Sequence, residues 1–163
     1  MANTQAMCTS FMQQLMVGEH QLGTATLVSR TSLTAPTTDT LKAALYLASA
    51  TVNASTTAYS ASNEVSGTGY AAGGVTVTNA TAPNSTNTTA TAGVAFFTPS
   101  ASITYTTVTL TTAFDAVLLY NSTQSNKAVS VHTFGSQTVT AGTFTLTMPS
   151  NTTSDALIRL ATT

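Results

Sequence analysis

His20 and His132 are the only imidazoles this chain offers for proton transfer or metal binding. Neither has a second ligand at metal spacing, although Glu19 directly precedes His20. His132 lies in a run with Val129, Val131 and Thr133, so alternation predicts that it faces the side of a strand opposite the two valines. Serines are many, and Asp115 is available as the acid of a Ser-His-Asp set. No serine sits in a nucleophile-elbow pattern, and such triads are recognised by geometry, not by inventory. The five carboxylates, Glu19, Asp39, Glu64, Asp115 and Asp155, show none of the local pairing that would suggest glycoside hydrolysis. Cys8 is the single cysteine, which rules out an internal disulfide; it reads as a small apolar residue on a helix. The expectation is a protein with no catalytic residues, no cofactor and no metal site.

The glycines have a different message. Residues 64–78, EVSGTGYAAGGVTVT, hold Gly67, Gly69, Gly73 and Gly74, four of the nine in the chain. Glycine is favoured where φ is positive or where a backbone must pass close to a neighbour. The alternating Val75-Thr76-Val77-Thr78 that follows predicts a strand over residues 75–80. A glycine turn that leads into a strand is the wrong order for phosphate binding, which needs the turn to open a helix. The expectation is a sharp turn.

Charge narrows the class further. Four basic residues (Arg30, Lys42, Lys127, Arg159) face five acidic ones, and charged residues make up 6% of 163 residues, far below the usual share. No basic patch is possible, so nucleic acid and an anionic membrane are not expected partners. So few charges suggest a protein held in an assembly or on a surface. Residues 1–10 lack the basic start and apolar core of a signal peptide, and no run is long and apolar enough to span a membrane. Six N-x-[ST] sequons, at Asn53, Asn79, Asn84, Asn87, Asn121 and Asn151, arise readily in a chain this rich in Asn and Thr.

These residues must be positioned by short elements. Residues 7–17, MCTSFMQQLMV, predict one helix, with Phe11, Leu15 and the methionines near one face, Thr9 or Ser10 as cap, and Gly18 as its end. Residues 41–50 predict a strand despite their Ala and Leu, because polar loops bound them closely. One helical turn is expected near residues 59–63, and a loop over 81–89. Further strands are predicted over residues 91–97, 102–111 (with one slip suggesting a β-bulge), 113–120, 127–134, 137–140 and 143–148. Residues 155–161 read as a strand or short helix. The whole predicts a single mainly β domain over residues 1–163, a β-sandwich or jelly-roll-like fold of about seven to nine strands, with residues 1–23 as an N-terminal helix or arm.

Three blocks in order resemble a family of small structural proteins of tailed bacteriophages. The first is residues 11–18 with Glu19-His20, followed by LKAALYLASAT at 41–51. The second and most specific is TTAYSASNEVSGTGYAAGGVTVTN at 56–79. The third is DAVLLYNSTQSNKAVSVHTFGSQTVTAGTFTLTMP at 115–149. Together they cover most of residues 11–149. The family tends to carry a Trp after the Gly-Tyr block; this chain has none, and Phe96-Phe97 or Tyr105 is expected to fill that volume. The resemblance implies a non-enzymatic virion protein made in the bacterial host cytoplasm. In particular it implies a capsid decoration (cement) protein on the outer capsid surface, bound to the major capsid protein and to itself as a homotrimer. Phe11, Leu15, Gly67, Gly69, Tyr70, Gly73 and Gly74 are the expected assembly contacts. If the arm makes those contacts, deleting residues 1–18 should leave the β domain folded. The alternatives are a neck, tail or head-fibre component, a secreted adhesin-like or surface-layer domain, and a virion-attached depolymerase dependent on His132 or Asp115.

Overall fold

Alternation of apolar and hydroxyl residues builds strands throughout, and the longest alternating stretches build the frame. A computed structural model describes residues 2–23, 37–78, 82–86 and 93–161. Its elements are β1 (Ala6–Met7), α1 (Thr9–Met16), β2 (Leu41–Leu47), β3 (Val75–Thr76), β4 (Asn84–Thr86), β5 (Val94–Phe97), β6 (Ile103–Asn121), β7 (Lys127–Leu146) and β8 (Ile158–Ala161). The fold is mainly β, as expected. One antiparallel sheet has the order β1-β7-β6-β2-β3, and a second has the order β4-β5-β8. The polar segment 24–32 and the sequons at Asn79 and Asn87 lie outside the described residues.

β6 and β7 replace what the sequence divides into five strands. Their 19 and 20 residues form one continuous hairpin, not separate strands at 102–111, 113–120, 127–134, 137–140 and 143–148. The residues read as breaks are bulges. Register shifts lie between Tyr105 and Val108, Val108 and Leu110, Leu110 and Phe114, and Phe114 and Ala116. Thr107 and Ala141 take positive φ of 53° and 47° there. Bulges bend a strand without ending its ladder.

The bend folds the hairpin back over itself. Phe134 and Phe144 are ten residues apart, about 33 Å in a straight strand, yet their ring centroids lie 5.4 Å apart. Phe114 packs edge-on against Phe144 at 5.0 Å. Tyr105 Oη donates a 2.9 Å hydrogen bond to Ala43 O, although Ala43 pairs with Leu119 at the other end of β6. The distal half of the hairpin therefore forms a second layer over the first, and the core fills the space between. Leu41, Leu45, Leu110, Phe114, Leu118 and Val129 are fully buried there.

β2 is a central strand, with β6 on one side and β3 on the other. Leu41 and Ala43–Tyr46 are all buried, so both faces are covered, and tertiary context overrides the helical propensity of Ala and Leu. β3 is shorter than expected, ending at Thr76. β4 appears inside what was read as a loop. The region near residues 59–63 makes turns and no helix.

The N-terminal segment belongs to the domain. Ala6 and Met7 pair with Val131 and Ser130, and Asn3 Nδ2 donates to Leu47 O (3.1 Å) and Asp115 Oδ1 (2.6 Å). Cys8, the N-cap of α1, carries no side-chain cap, contrary to the expected Thr9 or Ser10. α1 ends as expected at Gly18, φ 76°. Gly18 N–H donates to Leu15 O, and Glu19 N–H donates to Gln14 O, a Schellman closure. Cys8 and Phe11 are fully buried in the main core. Deleting residues 1–18 would remove a strand and two core side chains, so the expectation that the β domain folds without them is corrected.

Candidate functional site

The glycine stretch organises a dense set of polar contacts. Residues 63–65 run along β2: Leu47 N–H donates to Asn63 O and Val65 N–H to Leu45 O, both at 3.0 Å. The chain then leaves β2 and reaches the distal half of β6, where Thr109 N–H donates to Thr68 O at 2.9 Å. It returns to β2 as β3. The loop thus stitches the edge of one layer to the edge of the other.

That route explains the glycines. A Cβ on Gly67 would lie 2.0 Å from Thr109 O, one on Gly69 2.2 Å from Thr107 O, and one on Gly74 1.7 Å from Ala43 O. These are backbone atoms that cannot turn aside. Gly69, Gly73 and Gly74 also take positive φ of 79°, 87° and 69°.

Glu64 sits at the centre, nearly buried. Its carboxylate accepts from Tyr59 Oη (2.6 Å), Tyr70 Oη (2.7 Å) and Gly73 N–H (2.8 Å). A buried carboxylate needs such donors in place of water. Tyr70 Oη also accepts Leu45 N–H at 2.9 Å. Tyr120 Oη donates to Gly73 O at 2.8 Å, and Tyr46 donates to Ser60 O. With Tyr105 on Ala43 O, all five tyrosines of the chain hold this loop and its strands. Two pairs stack, Tyr59 on Tyr120 at 4.7 Å and Tyr70 on Tyr105 at 5.8 Å. Burial pushes the hydroxyl of Tyr46 up to about 12. Burial first, and then the hydrogen bond to Glu64, push Tyr59 and Tyr70 higher.

His20 anchors a second network. Its Nδ1 accepts from Asn121 Nδ2 (2.9 Å), which also donates to Asp39 Oδ2 (2.6 Å). Asn121 Oδ1 accepts from Thr123 and Gln124 N–H, which fixes the amide orientation. Nε2–H of His20 then donates to Gln14 Oε1 at 2.8 Å. Burial lowers the His20 pKa, and Asp39 opposes that shift. Phe11 packs edge-on against the ring, and Glu19 pairs with Lys127 nearby. Asn121 is fully buried and fully engaged, so this sequon is closed to a glycan in the folded chain.

His132 does face away from the two valines. It shares its side of β7 with Ser130, and Nε2 lies 2.9 Å from Ser130 Oγ. Burial lowers its pKa to about 4. Ser130 is buried, and with His132 it lines a small pocket of about 270 Å³ between β1 and the segment leading into β8. Each of the five carboxylates has its own partner: Glu19 has Lys127, Asp39 has Asn121, and Glu64 has the tyrosines. Asp115 has Asn3, and Asp155 has Thr152 and Ser154. Among the described residues no three His, Cys, Asp or Glu side chains converge as metal ligands.

Of the seven expected contact residues, the structure brings five together: Gly67, Gly69, Tyr70, Gly73 and Gly74. Phe11 and Leu15 lie apart on α1. Phe11, Gly73 and Gly74 are buried, so no partner can touch them in the folded chain. Leu15 lines an apolar groove of about 370 Å³ with Leu22, Phe96 and Leu160. Beside it Met12 and Val17 are exposed, and Met16 is 88% exposed. The sequence did not reveal Glu64 as a hub or Asn121 as a clasp. The one signal was that Glu64 opens the glycine stretch. No known family model, curated protein or solved structure matches this chain.

Proposed function

We propose that the chain is a non-enzymatic structural protein of a tailed-bacteriophage virion, a capsid decoration protein that binds the outer face of the major capsid protein lattice alongside sister copies. The observation that carries this reading is where the reactive side chains go. Glu19, Asp39, Glu64, Asp115, His20 and the five tyrosines hold one part of the fold to another, while His132 and Asp155 bond only within their own strand or turn. What faces solvent is mostly a neutral hydroxyl surface with an apolar groove beside α1. Such a surface suits many weak contacts repeated by symmetry. Binding only the assembled shell would stabilise it by linkage. The order of the three sequence blocks supports the phage assignment.

The test is the copy number of this chain in purified particles, measured by quantitative mass spectrometry against the major capsid protein. A ratio near that of the capsid protein is the expected result. A handful of copies would move the chain to the neck, tail or a fibre. Absence from particles would overturn the virion reading.

A further inference from the structure

The folded-over hairpin has two long edges, and among the described residues the distal part of one of them has no strand beside it. The distal edge of β6 is closed by the glycine loop through Thr68, Gly67 and Gly69. The proximal part of the outer edge of β7 is covered: Ala58 bridges to Lys127, Ala128 N–H donates to Thr57 O, Cys8 N–H donates to Val129 O, and β1 pairs with Ser130 and Val131. Over residues 137–146, β7 has no strand partner besides β6 among the described residues. Thr138, Thr140, Thr143 and Thr145 are exposed there.

Natural proteins blunt a free edge with charge, proline, a bulge or a cover. Here no charged residue occurs between Lys127 and Asp155, and the first proline after β7 begins is Pro149. One device is present, the bulge at Ala141, which leaves residues 142–146 as an uninterrupted run. We propose that this edge of β7 pairs antiparallel with the same edge of a second copy of this chain.

Two observations favour a second copy as occupant. The edge is neutral, so it offers nothing to a charged partner and nothing that repels its own image. It also displays threonines in the pattern its ladder already uses: Thr104 faces Thr145 across β6 and β7, hydroxyl to hydroxyl at 3.5 Å. Cross-strand threonine pairs are favourable, and a copy of β7 would add a further row. An identical edge paired antiparallel has two-fold symmetry and closes at two copies. The resemblance implies a homotrimer, so the particle mass separates the two arrangements. The inference stands apart from the virion assignment, because copy number in particles and self-association in solution can fail separately.

Sedimentation of the full chain over a wide concentration range is the experiment. The wild type is expected to form a dimer. Thr143→Lys, which places like charges across the two-fold, is expected to weaken it at least tenfold, and Thr138→Lys is a second probe of the edge. Thr143→Glu alone should weaken it likewise, and mixing the Thr143→Lys and Thr143→Glu proteins should restore a heterodimer. Unchanged circular dichroism would show that the variants remain folded. A wild-type monomer at every concentration, a trimer, or a dimer indifferent to both lysines would overturn the pairing.

Discussion

The two edges of the β6–β7 hairpin share one backbone geometry and differ in what lies beside them. Along β6, the chain supplies a loop of four glycines, a nearly buried carboxylate and five tyrosine hydroxyls. Along residues 137–146 of β7 no described strand lies beside β7 except β6, and the run carries four exposed threonines, with Val139, Phe144 and Leu146 half-buried. An unpaired row of N–H and C=O groups meets water, its own chain or another chain. The difference teaches that closing an edge internally constrains many positions at once, whereas an edge left for water or a partner constrains almost none. Substitutions on the two sides should therefore differ sharply in effect.

The largest effect is expected at Gly74. A Cβ there meets Ala43 O at 1.7 Å in a backbone of positive φ, so Gly74→Ala must move β2 or the loop. A loss of about 3 kcal/mol or more is expected in urea unfolding. A loss below about 1 kcal/mol would mean the loop does not return against β2 as described.

Glu64 comes next. Glu64→Ala leaves the Tyr59 and Tyr70 hydroxyls and Gly73 N–H without their acceptor, at a cost of about 3 kcal/mol. Glu64→Gln keeps an acceptor oxygen of the same shape and should cost about 1 kcal/mol. Equal losses in the two variants would show that packing, and not the hydrogen bonds, is what Glu64 contributes.

Alkaline pH probes the same edge without mutation. The tyrosines titrate higher in the folded chain than their ordinary value of 10, Tyr46 at about 12. A hydroxyl whose folded pKa is raised stabilises the fold fully below the unfolded pKa, and that contribution is lost as pH rises through the folded value. Stability should hold up to about pH 10 and then fall steeply. Tyrosinate absorbance should appear together with unfolding. Absorbance that rises normally near pH 10, with the fold intact, would contradict the buried network. In Glu64→Gln the rise should come at lower pH, since the Glu64 hydrogen bond and charge both raise Tyr59 and Tyr70.

The smallest effect is expected on the open side. Thr143→Lys should change monomer stability by less than about 0.5 kcal/mol, measured at a concentration where the chain is dissociated. A larger loss would mean that the β7 edge is already covered within the chain.

Local pattern and distant contact divide the legible from the illegible. The alternation around Ile103 and Tyr105, and again around Val129 and Val131, announced strands. The slip before Val108 announced a bulge, and Thr107 now occupies it with positive φ. Gly18 announced the end of the helix. Pattern could not show that the slips keep one ladder continuous, because a bulge and a short turn look alike along one strand. The candidate site was legible in half: the glycines were singled out, but their partners were not. Tyr46, Tyr105 and Tyr120 lie far from Glu64 in sequence and meet its loop only once the hairpin has folded over. Phe11 misled for the opposite reason. An apolar stripe on a short helix looks the same whether it faces the chain's own core or another protein's.

By itself the sequence determined a neutral, threonine-rich, mainly β chain with one short helix and one glycine turn before a strand. These follow from side-chain period, glycine's backbone freedom and the scarcity of charge, all of which act within a few residues. Only the tertiary structure decided that two long strands bend into two layers, that Glu64 and five tyrosines hold one side, and that residues 137–146 on the other have no strand beside them except β6 among the described residues. Those outcomes depend on where bulges aim the chain and on which hydrogen-bonding groups meet through space. A period-two pattern reads the same in a straight strand as in a folded one.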